Sequence, residues 1–502
     1  MKQYTHHRFL LMAFAFLFCF TLEAAAEKSF DFSPICKQAY SDIISLKISN
    51  GKQLISAARQ QNPDNLIPDL LDSYCDFFIL FFNEDPVEYS KRKTNFDGYI
   101  SKLSSGPQNS PYFNYSRSVV YIQKACAEIK FGDRWKAGWD FRKAFALVKD
   151  NKKAFPAFVP NKMIYGPMQV IAGTIPDSYK WLAGLFGISG SINEGMAQLQ
   201  SVVKSNDADA NLFHTEALFY YSYISFYIQN KEEEVFQLIN QQKPDLVNNH
   251  LMAYMAANLA LNAKKNEYAR SIILKRNQSP AYLVTPVWDY ELGYISLRHL
   301  EYKAAANYFS NFTKNFKGKF YVKDAYEKQS WAWYLQGNTA NAENCRKLVL
   351  AKGNTETDAD KESYKDAKAG LWPNIILLKA RLLNDGGYLN EALTLLQSIK
   401  ESDLQFDKDK LEYTYRLGRV YDDLHQYDNA LIKYKTTIES GAQLPEYYAS
   451  RAALQSGIIY EKKGNKTEAI NFYKKCFIMK SHSYKASIDQ KAKAGIARCK
   501  GQ

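Results

Sequence analysis

Tyr290, Tyr294 and Arg298, then Trp331 and Tyr334, then Arg381 and Asn384, then Tyr415, Arg419 and Asp422 recur at the three- and four-residue intervals of a helix face. Large rings interleaved with guanidinium groups dominate partner recognition, so these ten are the candidate binding residues. Each ring also has a plainer reading, as filler between neighbouring helices. Chemistry that makes and breaks bonds has less support. Beyond residue 26 the histidines are His214, His250, His299, His425 and His482; no two lie within a helical turn or two, and no H-E-x-x-H occurs, so no zinc site is expected. Gly184, Gly187 and Gly190 lack the spacing and the preceding strand of a dinucleotide loop. Gly464-Asn465-Lys466-Thr467 lacks the Gly-Lys pair of a phosphate loop, and Ser189 lacks the frame of a nucleophile elbow. Spacing alone does not make Asp422-Asp423 an acid/base couple. The sequence reads as a non-catalytic binding protein without cofactor or metal. An enzyme assembled from scattered residues between two lobes is a rival reading.

Of the 502 residues, 46% are apolar and 23% charged, which provides a core and excludes global disorder. Gly 24 and Pro 15 are few for this length and favour helix, while Tyr 36 and Phe 30 supply rings for broad helix-packing surfaces. Residues 1–26 read as a signal peptide. Lys2 and Arg8 flank the start of an apolar run, Phe9 to Leu22, too short to span a bilayer, and Ala24-Ala25-Ala26 offers small residues for cleavage before Glu27. The mature protein is therefore expected to be exported, to the periplasm, the cell envelope or outside the cell. The net charge of +13 is concentrated at the C-terminus, where residues 461–502 hold 11 Lys/Arg against Glu461, Glu468 and Asp489. Solvated helix faces are the plain reading of that run, and peripheral contact with an anionic membrane or an acidic partner the sharper one. Nucleic acid is not expected as a partner of an exported chain. Six cysteines remain (Cys36, Cys75, Cys126, Cys345, Cys476, Cys499); if one pair is bridged, Cys476–Cys499 is the pair to expect.

The elements that must position the candidate residues come from an internal repeat. Leu417-Gly418, Tyr421, Ala430 and Tyr434 share their offsets with Gly457, Tyr460, Ala469 and Tyr473; Leu292-Gly293, Ala305 and Phe309 repeat them. Weaker copies start at Ala257, Ser330 and Ala380. The small residue and the Ala twelve later sit where two antiparallel helices cross closely, rings plug the space beside them, and Gly337, Gly387 and Gly464 occupy the turn. This pattern resembles the tetratricopeptide repeat. The copies are 36, 37, 50, 38 and 39 residues apart, and the 50-residue step contains the polar insertion Ala351 to Ala369, read as a loop or helix extension. The resemblance implies a right-handed α-solenoid in which the first helix of each pair lines a concave groove. It places Leu297, Glu327, Leu335, Leu377, Asp385 and Asp423 on that face beside the ten candidates. It also excludes the clamp that grips a peptide C-terminus, because Lys and Asn are missing from the clamp positions.

Upstream the pattern loosens. Residues 38–60, 65–83, 113–131 and 134–149 read as helices, with Ala125, Gly132, Ala137 and Phe141 at repeat offsets, and residues 155–167, with three prolines, as a loop. Trp135, Trp139 and Phe141, then Ile175-Pro176, Gly187-Ile188-Ser189-Gly190, and Trp288, Glu291 and Leu292 resemble the tetratricopeptide repeat protein 39 and inclusion-body clearance family, loosely over residues 115–480. That resemblance implies a non-enzymatic helical protein; members are linked to mitochondrial outer membranes, lipid droplets and aggregate clearance, and lack a secretory signal. The expected organisation is all-α: signal peptide 1–26, irregular helical lobe 27–205, transitional degenerate repeats 206–280, and TPR-like repeats 281–502 with a C-terminal capping helix. The expected role is an envelope scaffold or adaptor holding a protein or peptide, with an envelope-surface glycan or lipid binder as the alternative.

Overall fold

A computed structural model describes residues 27–174, 188–205, 207–479 and 483–501. Residues 1–26, read above as a signal peptide, and Ile175-Pro176, Gly184 and Gly187 lie outside them. The described residues form α-helices joined by short connections, with one isolated bridge between Ser29 and Asn65. In chain order the helices are α1 (Pro34–Ile44), α2 (Ile48–Gln61), α3 (Ile67–Asn83), α4 (Pro86–Arg92), α5 (Asn95–Leu103), α6 (Pro111–Lys130), α7 (Arg134–Ala154), α8 (Pro160–Thr174), α9 (Ile192–Val203), α10 (Ala208–Tyr227), α11 (Glu232–Gln242), α12 (His250–Asn262) and α13 (Asn266–Lys275). The second half continues with α14 (Val287–Arg298), α15 (Tyr302–Asn315), α16 (Val322–Leu335), α17 (Thr339–Ala351), α18 (Asp358–Ala369), α19 (Ile375–Gly386), α20 (Leu389–Gln397), α21 (Asp407–Asp423), α22 (Tyr427–Gly441), α23 (Tyr448–Lys462), α24 (Lys466–Ile478) and α25 (Lys485–Lys500). The chain is an all-α solenoid of TPR-like helical hairpins.

One local design recurs. In the hairpins α12/α13, α14/α15, α16/α17, α19/α20, α21/α22 and α23/α24, a residue with positive φ sits seven positions after the small one: Lys264, Leu300, Gly337, Gly387, His425 and Gly464. The next N–H reaches back to the carbonyl five residues earlier, as Asn338 to Trp333 at 3.0 Å and Gln426 to Tyr421 at 2.8 Å. That bond satisfies a carbonyl the helix end would leave unpaired. The same turn closes α1/α2 at Leu46 and α6/α7 at Gly132, with Ala39 and Ala125 as the small residues. The repeat geometry therefore begins near the N-terminus.

Sterics explain the residue types. A Cβ on Gly457 would lie 2.5 Å from Tyr473 Cε1, and one on Gly418 would lie 2.6 Å from Tyr434 Cδ1. The hydrogen atom is therefore what lets each ring lie across the partner helix. Tyr434, Tyr473, Ala430 and Ala469 are fully buried. Each buried ring contributes about 1.5–3 kcal/mol, and each hydroxyl has an acid to meet: Tyr434 donates to Asp422 Oδ2 at 3.1 Å, Tyr473 to Glu461 Oε2 at 2.5 Å. Both acids stand four residues after the Gly. In α14, where the ring is Phe309 and has no hydroxyl, that position is Leu297.

Three expectations need correction. The span 38–60 is two helices broken at Leu46, whose φ is 62°. Residues from Pro160 are helical through Pro167, because α8 crosses α9 where Gly166 meets Gly195 and a Cβ on Gly195 would stand 2.5 Å from the Gly166 carbonyl oxygen. Cys476 and Cys499 are free thiols: Cys476 Sγ turns to the Ser450 carbonyl, and burial pushes its pKa up to about 12. One apolar core runs from Phe32 to Ile295, through both the N-terminal lobe and the transitional repeats.

Candidate functional site

The first helices of successive hairpins line two adjoining cavities. One, of about 690 Å³, is walled by rings: Phe81 and Phe82 from α3, Tyr223 and Tyr227 from α10, Tyr254 from α12, Tyr290 from α14 and Phe312 from α15. The other, of about 430 Å³, is lined by Asp324, Glu327, Lys328 and Trp331 from α16, Arg381 and Asp385 from α19, and Tyr447, Tyr448 and Tyr484. Tyr294, Arg298 and Ala359 belong to both, so the two form one trough.

The polar insertion builds a wall of the second cavity. Its helix, α18, places Ala359, Glu362, Lys365, Asp366 and Ala369 on the lining. Asp360, fully buried, fixes it by accepting the backbone N–H groups of Tyr321, Lys323 and Asp324 at 2.7, 3.0 and 3.1 Å. Those are unpaired donors at the start of α16, where a carboxylate also meets the positive end of the helix dipole.

Electrostatically most acids of the second cavity are matched to bases. Asp324 accepts the hydroxyls of Tyr290 at 2.8 Å and Tyr294 at 2.5 Å, and pairs with Lys328 at 3.1 Å. Lys328 also pairs with Glu327, and its Nζ stands 4.0 Å from the Trp331 ring centroid. Burial disfavours the Lys328 ammonium, but Asp324 and Glu327 outweigh it and hold the pKa above the ordinary lysine value. Asp385 behaves the same way with opposite sign: burial opposes its charge, and Arg419 at 2.9 Å, then Arg381 at 3.8 Å, hold its carboxyl well below the usual range. Arg381 lies 5.0 Å from the Trp331 ring centroid, and no described residue accepts a hydrogen bond from its guanidinium.

Of the ten candidate residues, Tyr290, Tyr294, Arg298, Trp331 and Arg381 line the trough. The other five are engaged in packing. Tyr334 stacks on Trp372 at 4.6 Å and donates to the Pro373 carbonyl; Asn384, 1% exposed, donates to Asp423; Tyr415, 2% exposed, lies in the core of the last hairpins. Arg419 is paired with Asp385, and Asp422 takes the Tyr434 hydroxyl. These five lie off the trough lining, with partners on the preceding, the same or the following hairpin. Sequence reading missed Tyr223, Tyr227, Tyr254 and the Phe81-Phe82 pair. The ring-rich stretch Phe219 to Tyr227 was the available signal. At the C-terminus, Arg498 pairs with Glu461 at 2.8 and 3.0 Å and Lys485 with Asp489 at 3.1 Å, so part of that charge is spent internally. Among the described residues no cluster of three or more His, Cys, Asp or Glu is placed to hold a metal ion, and no helix is long and apolar enough to cross a membrane.

Residues 130–318 match the family Iml2/Tetratricopeptide repeat protein 39, a narrower stretch than the 115–480 read from the motifs. The chain is similar to that family there and carries TPR-type hairpins beyond it. No curated protein matches the sequence. Among solved structures, the APC/C hetero-tetramer Cut9-Hcn1 is similar at 12% identity over 90% of this chain and 87% of that one, with a TM-score of 0.28. Yeast Tom70 is similar at 12% identity over 93% and 96%, TM-score 0.25, and the TPR domain of P58(IPK) at 14% over 83% and 96%, TM-score 0.23.

Proposed function

We propose that this protein is an exported, non-catalytic scaffold that holds a polypeptide partner in its inner trough. The observation that carries the reading is the continuity of the two cavities: rings and charged groups from α3 to α23 face one elongated space, shared at Tyr294 and Arg298. A segment of extended chain meets both apolar and polar surface in such a space, and aromatic and Arg side chains anchor it. Export is supported by residues 1–26 alone.

Affinity capture from envelope extract tests the binding. A stoichiometric protein partner is expected, lost on Arg381→Glu, since Arg381 faces the trough with its donors unused. Capture of glycan or lipid with no protein overturns the reading. Cell fractionation tests export: a chain processed before Glu27 and found outside the cytoplasm agrees, and an unprocessed cytoplasmic chain does not.

A further inference from the structure

The aromatic cavity already holds one ammonium group of its own. Lys130 Nζ stands 4.9 Å from the ring centroids of both Phe81 and Phe320, and 2.6 Å from Glu84 Oε1. Two π faces and a carboxylate replace the water that cation has lost.

Glu291 supplies the same ingredients to another part of the lining, without the cation. Its side chain belongs to α14 and the residue is 5% exposed. Oε1 accepts one hydrogen bond, from Asn258 Nδ2 at 2.9 Å, and no described Lys, Arg or His is within ion-pair distance. Asn258 is held in turn by the hydroxyls of Tyr223 and Tyr227, each 3.4 Å from its Oδ1, and those two rings stack at 6.0 Å. Arg298, at the junction of the two cavities, is engaged elsewhere: Nη1 donates to the Leu261 carbonyl at 2.7 Å and the guanidinium stands over Tyr294. Burial pushes the Glu291 carboxyl up to about 6, against the pull of Asn258 and Arg298. Burial, and after it the field of this carboxylate, raises the phenols of Tyr227 and Tyr254. A buried carboxylate in a ring-lined cavity, with no ion-pair partner among the described residues and only the field of Arg298 to offset it, is a receptor for an organic cation.

We propose that the aromatic cavity receives a lysine side chain of the bound polypeptide, its ammonium meeting Glu291 among the rings of Tyr223, Tyr227 and Tyr254. This rests on the reading of the trough as a polypeptide site. The volume of about 690 Å³ leaves room for the residues that flank the lysine.

The test is equilibrium binding to the mature chain at pH 8 with three probes: N-acetyl-lysine methylamide, its uncharged counterpart N-acetyl-norleucine methylamide, and choline. The lysine derivative is expected to bind at least tenfold more tightly than the norleucine derivative, and Glu291→Gln to remove that preference. Equal binding of the two, binding of neither, or a preference retained in Glu291→Gln overturns the proposal. Choline binding tenfold more tightly than the lysine derivative overturns it in favour of a free quaternary ammonium. If Glu291→Gln fails to fold, the comparison of probes on the unaltered chain still decides. A captured partner with no lysine preference sinks this inference alone; a lysine preference with no polypeptide partner sinks the scaffold reading and leaves the ammonium site standing.

Discussion

The two halves of the trough handle buried charge in opposite ways. In the charged half most acids are matched: Asp324 to Lys328, Asp385 to Arg419 and Arg381, and, beneath the floor, Glu412 to Arg416. In the aromatic half Glu84 has Lys130, but among the described residues Glu291 has an amide for its one hydrogen bond and no ion-pair partner. Of the pairs in the charged half, Asp385–Arg419 ties α19 to α21 and the others lie within single helices; a ligand gains little by competing with the hydrogen-bonded ones. The unmatched carboxylate destabilises the empty protein and is the group a cation would relieve. Two buried acids in adjoining cavities thus differ in role because one kind is completed within the chain and the other is not.

Breaking a matched pair should have the largest effect. Arg416, 2% exposed, donates through Nε and Nη2 to Glu412 at 3.0 and 2.7 Å. Arg416→Met strands a buried carboxylate and is expected to cost about 3–5 kcal/mol in urea unfolding, with most of the loss recovered when Glu412→Leu is added. Next is the strut of the charged half. Asp360→Ala leaves three N–H groups at the start of α16 without their acceptor and should cost about 2–3 kcal/mol, uncapping α16 and loosening α18, whose Ala359 lines both cavities.

Removing the unmatched acid should do the reverse. The Glu291 pKa of about 6 lies above its ordinary 4.5. Between those values the folded chain binds the proton more tightly than the unfolded chain, so this group costs stability as pH rises from 4.5 to 6. The penalty then stays constant, at about 2 kcal/mol. Glu291→Gln is therefore expected to raise stability by about 2 kcal/mol at pH 8 and to change nothing at pH 4, read by thermal unfolding at both pH values. The smallest effect belongs to the long hydroxyl contact behind it: Tyr227→Phe gives up a 3.4 Å hydrogen bond to Asn258 and should cost no more than about 0.5 kcal/mol.

The hairpins were legible in the sequence because their constraint is local. Gly418 and Tyr434, or Gly457 and Tyr473, are in contact at a fixed separation along the chain, so a self-comparison finds them. The acid that receives each tyrosine hydroxyl is equally local, yet Asp422 reads as a groove residue until Tyr434 is seen above it. The trough was legible only in part. Tyr290, Tyr294, Arg298, Trp331 and Arg381 follow from the repeat register. Tyr223, Tyr227 and Phe81 reach the same cavity from helices far away in sequence, where no periodicity ties them to α14. Asp360 is the extreme case: one of five acids in a polar insertion, singled out by backbone N–H partners that carry no sequence signal.

Site-specific photo-crosslinking tests the central claim most directly. A photoreactive phenylalanine analogue placed at position 294, where the two cavities meet, is compared with one at position 432, where Ile432 is 62% exposed on the outer helix α22. Illumination in intact cells should join a polypeptide to the chain from position 294 and not from 432. Adducts from position 432 with none from 294 would contradict the account.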